Sequence, residues 1–214
     1  AGPRGGERPK KPTDARRGVV GGRSILGTTG LVKPYSTAAY RTSVVQGVHV
    51  AGTLAHSTVV LTTGGRTEAF VMREFPDLPE AAFVQMGDFL RYALGAVVKA
   101  GIRHVVIGGM VGKPSKIAHG ETITHAGRAD VNTGLLADLA AELGAPPDVC
   151  DDIRAAKTAR YAGDRMAGVG LGLAFHTALA QRVVQVLRQR YEDAFTLRVL
   201  VCDFDGNKIT EASS

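Results

Sequence analysis

The chain has 214 residues, 44% hydrophobic and 21% charged, which is ordinary for a single globular domain with a sizeable core. No apolar run approaches the roughly twenty residues of a membrane-spanning helix, and no secretory signal opens the chain, so we expect a cytoplasmic protein. Two widely separated cysteines, Cys150 and Cys202, indicate neither a zinc site nor a disulfide framework.

The formal charge of +6 is concentrated at the start of the chain. Residues 1–18 contain six basic and two acidic side chains, a net charge of +4, which leaves +2 for all the rest. We therefore divide the chain into a basic lead-in with Gly and Pro at residues 1–18 and an α/β ligand-binding domain at residues 19–214. The lead-in leaves nucleic-acid binding open, although the chain has no Trp on which bases could stack.

The first half of the domain shows helical and strand patterns in alternation. Residues 18–30 combine short apolar patches with five glycines, as strand-and-turn segments do. The later patterns predict these elements: a helix capped by Ser36 and reaching residue 54 or 55, a strand at 58–62, a short helix from Thr67, a strand at 83–86, a helix between Gly87 and Gly101, and a strand at 103–107.

The second half is mainly helical until its end. We predict the following elements: a helix at 135–143, another from Pro146-Pro147 to about residue 162, a long helix at 171–190, and a strand at 196–204. Strands that alternate with helices favour a mostly parallel sheet with helices on both faces. The predicted fold is therefore α/β, with a Rossmann-like layered architecture.

Residues 108–125, GGMVGKPSKIAHGETITH, form the most informative segment of the chain. They follow a predicted strand, so we interpret them as a loop at its carboxyl end, where α/β sheets bind ligands. A P-loop is excluded, because Ile107 replaces the early glycine and Pro114 replaces the magnesium-binding hydroxyl. Lys113 and Lys116 could simply flank a helix start, but their clustering with glycines and hydroxyls favours an anion site.

Three segments together resemble one known family. Residues 18–34, 83–89 and 108–125 are similar to CbiD, the cobalt-precorrin-5B C(1)-methyltransferases of cobalamin biosynthesis. The resemblance is collinear from about Gly5 to the end and covers the C-terminal part of the family pattern, so we expect the N-terminal domain to be absent. It departs from the pattern at Met110, where the family has a histidine.

The resemblance implies methyl transfer from S-adenosyl-L-methionine to a cobalt-precorrin that carries acetate and propionate groups. His125 is the candidate for proton handling, and no residue is predicted to ligate a metal, since cobalt arrives with the substrate. We expect the substrate to be bound by Gly112, Lys113, Ser115, Lys116, His119, Thr124 and Arg128. We expect the cofactor to be bound by Gly27, Thr28, Thr29, Gly30, Thr63, Gly64, Gly65 and Arg66.

Two further interpretations stay open. The first is a non-catalytic ligand-binding module that requires its missing N-terminal domain, and the second is a basic-tailed protein associated with nucleic acid. Homo-oligomerisation is equally open. His176 lies in a long apolar helix, which favours a structural histidine over a functional one.

Overall fold

One five-stranded sheet forms the centre of the molecule. The structure is a computed structural model that describes residues 36–54, 57–120 and 131–214. Its strands are β1 (Thr58–Thr62), β2 (Phe83–Gln85), β3 (His104–Met110), β4 (Thr196–Cys202) and β5 (Lys208–Ser213). They lie in the order β2-β1-β3-β4-β5, in which the first four are parallel and β5 pairs antiparallel with β4. The predicted α/β fold with a mostly parallel sheet is confirmed.

Some helices of the described residues begin or end at residues suited to those positions. The Ser36 side chain accepts a hydrogen bond from the backbone N–H of Ala39 and caps the first helix, and Gly101 ends the third with φ of 67°. The helices are α1 (Thr37–Thr53), α2 (Gly65–Glu74), α3 (Leu90–Ala100), α4 (Gly112–Ala118), α5 (Thr133–Glu142), α6 (Pro147–Ala155), α7 (Ala159–Gly168) and α8 (Gly172–Tyr191), with a 3₁₀ turn at Glu80–Ala82. None of them is long and apolar enough to cross a bilayer.

The predicted loop that begins at residue 108 is wrong in its first half. Strand β3 continues through Gly108 and Gly109, which pair with Leu200 and Val201 of β4, and α4 follows almost at once. Glycines suggested a loop, but pairing between two parallel strands keeps this backbone extended. The residues at 112–118, which include those predicted to bind an anion, therefore lie on a short helix.

Two other differences concern the second half of the chain. The single helix predicted after Pro146 divides into α6 and α7, because Ala156 is extended and the Thr158 side chain caps α7 by accepting from Tyr161 N. Strand β5 was not predicted at all. It is a polar edge strand, which shows no apolar run in the sequence.

The two faces of the sheet are covered unequally. On one face, alternate residues such as Val105 and Ile107 join the main core with side chains of α1, α3 and α4 to α8. On the other face, Val106 and Leu200 pack with Phe70 of α2, the one α-helix of the described residues in that smaller cluster. This alternation follows from the two-residue period of a strand.

The carboxyl ends of the four parallel strands meet at one edge of the sheet. They bring together Thr62, Gln85, Met110 and Cys202, the last residues of β1 to β4. Open α/β sheets bind ligands outside this edge, so the fold places the turns that follow β1, β2 and β3 where a site is expected.

Candidate functional site

The turn after β1 is the open part of the carboxyl edge. A side chain at Gly64 would meet nothing within 4 Å among the described residues, and a β-carbon at Gly65 would lie 4.0 Å from Nε2 of Gln85. The hydroxyls of Thr63 and Thr67 lie 3.1 Å apart beside this turn. Helix α2 begins here, so its first N–H groups have no acceptor within the helix. The turn can therefore receive a polar ligand against its backbone.

The predicted cofactor residues divide into two groups. Thr63, Gly64, Gly65 and Arg66 lie together at this turn, with Gly65 and Arg66 exposed. The other group, the turn at residues 27–30, lies outside the described residues. Cofactor binding by either group stays a prediction.

A buried carboxylate beside the turn was not predicted from the sequence. Glu68 is 7% exposed, and its Oε2 accepts a hydrogen bond from Nε2 of Gln85 at 2.5 Å. The main-chain oxygen of Gln85 accepts in turn from the Tyr40 hydroxyl at 3.1 Å. The available signal was an acidic residue early in α2, where the helix dipole favours negative charge. Such a carboxylate and amide pair can bind ligand hydroxyl groups.

Lys113 forms an ion pair with a carboxylate of the same edge. Its Nζ contacts Oδ1 of Asp88, which follows β2, and both side chains are about one quarter exposed, at 27% and 25%. Burial, and next the nearby charge of Lys116, lower the pKa of Lys113. The ion pair bridges the ends of β2 and β3, so a ligand carboxylate that reaches Lys113 meets Asp88 as a competitor.

The other residues of α4 are less accessible than a loop would make them. Lys116 is 8% exposed, and the Ser115 hydroxyl donates to the main-chain oxygen of Gly112 at 2.9 Å within the same helix. Gly112 itself has open space around its α-carbon. Of the residues predicted to bind the substrate, Gly112 and Lys113 are therefore more accessible to a ligand than Ser115 and Lys116.

His119 lies next to the start of α5. Its Nδ1 is 3.0 Å from Nδ2 of Asn132, whose Oδ1 accepts from the backbone N–H of Leu135 and caps that helix. This contact joins described residues on either side of the segment 121–130. Three predicted site residues, Thr124, His125 and Arg128, belong to that segment and lie outside the described residues.

Cys202 ends β4 at the same edge but is a poor nucleophile. Its Sγ lies 3.8 Å from the main-chain oxygen of Gly109. Burial, reinforced by the charge of Asp203, raises the pKa of the Cys202 thiol to about 11. Among the described residues, no three His, Cys, Asp or Glu side chains are grouped as metal ligands.

His176, which was predicted to be structural, lies away from these turns on α8. It is 9% exposed, and its Nδ1 is 2.7 Å from the main-chain oxygen of Gly172. The ring packs edge-on against Phe175. These contacts are those of a satisfied core histidine.

Comparison with known proteins identifies close relatives of the chain. Residues 123–213 match the family described as CbiD, C-terminal domain. The chain is 76% identical, over 98% of its length, to a protein of Variovorax paradoxus (strain S110) named cobalt-precorrin-5B C(1)-methyltransferase, of which it covers 58%. A protein of the same name from Polaromonas sp. (strain JS666 / ATCC BAA-500) is 75% identical over 99% of the chain and is 57% covered.

More distant relatives bear the same name. A protein from Leptospira borgpetersenii serovar Hardjo-bovis (strain JB197) is 41% identical over 95% of the chain, which covers 55% of it. The chain thus spans somewhat more than half the length of these curated relatives. No solved structure matches the chain significantly.

Proposed function

We propose, because this chain belongs to the CbiD family, that it forms part of a methyltransferase that uses S-adenosyl-L-methionine to methylate C-1 of cobalt-precorrin-5B in cobalamin biosynthesis. The main support is the 76% identity, over 98% of the chain, to a protein that bears this name. Since the chain covers 58% of that relative, the proposal concerns what these 214 residues contribute to the reaction.

The turn after β1 is suited to hold the cofactor. Gly64 and Gly65 leave room for close approach of a ligand to the backbone, and the Glu68 and Gln85 pair offers acceptors for ribose hydroxyls. When bound, S-adenosyl-L-methionine supplies a methyl group activated by its sulfonium. The protein's part is to hold the donor and the attacking carbon in line, which can account for much of the rate acceleration.

Lys113 is suited to orient the substrate. A precorrin carries several carboxylates, and an ammonium beside the carboxyl edge can bind one of them by a charge-assisted hydrogen bond. The ammonium contacts Asp88 near the ends of β2 and β3, so the substrate carboxylate would compete with Asp88 for it. We therefore place the substrate beside Lys113 at the carboxyl edge of the sheet, next to the turn proposed to hold the cofactor.

A steric variant tests cofactor binding at the turn. Gly64→Val fills space that is empty among the described residues, and φ of 164° is extended backbone that valine can adopt. We expect isothermal titration with S-adenosylhomocysteine to show binding that weakens at least about tenfold in Gly64→Val, a loss of ~1.4 kcal/mol. Gly168→Val, at a second open glycine at the end of α7, is the matched control and should bind like the wild type. Equal affinity for S-adenosylhomocysteine in all three proteins would show that the cofactor does not bind at this turn.

A second candidate function follows from the fact that the chain covers only part of its relatives' length. A chain that spans 58% of its relative could serve as a ligand-binding module that needs the remaining part for turnover. Transfer of a labelled methyl group to cobalt-precorrin-5B separates the two candidates. Turnover by the chain supports the methyltransferase, whereas binding of S-adenosylhomocysteine without turnover supports the module. Failure to bind either ligand contradicts both.

A further inference from the structure

A cationic depression lies at the edge of the sheet opposite the candidate site. It has a volume of about 370 Å³, within the usual range for small-molecule sites. Its position at the amino ends of β3 and β4 puts it roughly 20 Å from the carboxyl edge, the length of a seven-residue strand. Its lining includes Arg103, His104, Arg188, Asp193, Ala194 and Thr196.

The side chains of the depression hold more positive than negative charge. Arg188 lies 3.3 Å from Asp193, the one acidic side chain in the lining. Arg103 enters from the chain just before β3, and its guanidinium has no hydrogen bond or ion pair to any other described residue. An arginine that lines a concavity without a counter-charge can bind an anion there through its paired N–H donors. The unmatched positive charge of Arg103 therefore points to an anionic ligand.

His104 adds a ring that is held in place beside Arg103. Its Nδ1 lies 2.8 Å from the Thr196 hydroxyl, which also lies 3.4 Å from the main-chain oxygen of Arg103. Because Nδ1 is engaged, Nε2 is the ring nitrogen without a partner among the described residues. When Nδ1 accepts from the Thr196 hydroxyl, Nε2 carries the ring proton and can donate to an anion beside the arginine.

The rim of the depression carries backbone strain. Glu192 has φ of 49° and ψ of −131°, and it is the one non-glycine residue of the described chain with positive φ. The turn that contains it, closed by a hydrogen bond from Ala194 N to Tyr191 O at 3.1 Å, holds Asp193 and Ala194 in the lining. Strained conformations of this kind are concentrated at ligand sites, where they fix the geometry of the rim.

We propose that this depression is a binding site for a small molecule that carries an oxyanion, either a phosphate or a carboxylate group. Guanidinium groups bind both anions through paired N–H donors, and the volume accommodates more than the anion alone. The site is independent of the turn proposed to hold the cofactor, since no residue is shared between them.

Titration of the chain with inorganic phosphate and with citrate, at constant ionic strength, tests this site. Chemical shifts of backbone amides should saturate around residues 103–104 and 188–196. Arg103→Gln should weaken binding about tenfold, and Arg182→Gln is the matched control, because Arg182 loses the same charge on the exposed side of α8. The anion that saturates at lower concentration identifies the preferred group.

The outcome is separable from that of the cofactor proposal. Arg103→Gln should leave the affinity for S-adenosylhomocysteine unchanged. Shifts that grow without saturation, or equal phosphate and citrate affinities in the wild type and Arg103→Gln, would overturn the oxyanion site whatever the turn after β1 binds.

Discussion

A β-carbon at Gly108 would lie 2.4 Å from Cγ2 of Val71, so α2 lies against β3 at a distance that only glycine allows. The same position would place it 3.2 Å from Cγ2 of Thr67 in the first turn of α2. The sequence placed Gly108 at the start of a predicted ligand-binding loop. In the structure it lets a helix approach, and this contact fixes the start of α2 over the carboxyl edge.

Gly108→Ala should therefore destabilise the protein. We expect urea unfolding to show a loss of about 1–3 kcal/mol, the usual result of adding a methyl group to a filled core. Gly95→Ala is the control, because a side chain there meets nothing within 4 Å and alanine favours the helix by about 0.5–1 kcal/mol. The double variant Gly108→Ala with Val71→Ala should lose less stability than the sum of the two single variants, and simple additivity would show that the close approach is unimportant.

Glu192→Gly should stabilise the protein by about 0.5–1 kcal/mol. Glu192 occupies the first central position of the turn from Tyr191 to Ala194 with the dihedral angles of a type II′ turn, which glycine adopts without strain. Glu192→Ala removes the same carboxylate but keeps the steric conflict, so its stability should stay close to that of the wild type. Thermal or urea unfolding of the three proteins measures the difference, and equal gains in both variants would mean that charge, not strain, is responsible.

Lys113→Ala and Asp88→Asn should change substrate affinity in opposite directions. If Lys113 binds a substrate carboxylate, the first variant loses about 1–3 kcal/mol of binding, while the second removes the competing carboxylate and binds more tightly. Lys157→Ala, on the exposed link between α6 and α7, controls for net charge. Titration with the cobalt-precorrin at two salt concentrations provides the measurement. Weaker binding in Asp88→Asn would instead indicate that the intact ion pair is needed only to position the lysine.

The Cys202 thiol should be unreactive in the native protein. Burial raises its pKa to about 11, so almost none of it is thiolate at pH 8, and the side chain is 2% exposed. In a Cys150→Ala background, we expect iodoacetamide to modify Cys202 at pH 8 only after urea unfolds the chain. Rapid modification of the folded protein would show that the end of β4 opens to solvent.

Glu211 should make stability depend on pH in the acid range. Hydrogen bonds from Lys208, and next from Arg198, hold the pKa of Glu211 below its usual value. Its contribution to stability is therefore complete above the unfolded pKa of about 4.3 and is lost as pH falls through the lower folded value. Glu211→Gln should unfold more easily than the wild type at pH 7, with a difference that shrinks toward pH 3. Glu142→Gln, an exposed glutamate on α5 without a described ion pair, should show no such trend.

The sequence predicted what local patterns determine. The Ser36 cap, the β-branched run of β1 and the glycine that ends α3 each depend on a few neighbouring residues, and all three are found in the structure. The polar edge strand β5 exists because β4 pairs with it, so no local pattern revealed it. The extension of β3 through two glycines likewise depends on pairing with distant residues.

The candidate site shows the same division. Glycine and threonine at the turn after β1 were recognisable because small polar residues follow a strand. The partners that define its chemistry were not recognisable, since Glu68 meets Gln85 and Lys113 meets Asp88 only through tertiary packing. The burial of Lys116 could not be predicted either, because the sequence alone suggested an open loop and not the short helix that the structure shows.

The insertion of α4 to α8 between β3 and β4 determines the order in which the sheet can assemble. Thr58 pairs with His104, but His104 pairs with Thr196, 92 residues further along the chain. Contacts between distant residues form late, because the chain must lose more freedom before they stabilise it. We expect the amides of β1 and β3 to gain protection before those of β4 in pulsed hydrogen exchange during refolding. Until β4 docks, the edge of β3 is an unpaired strand, and this interval is when the chain is most prone to aggregate.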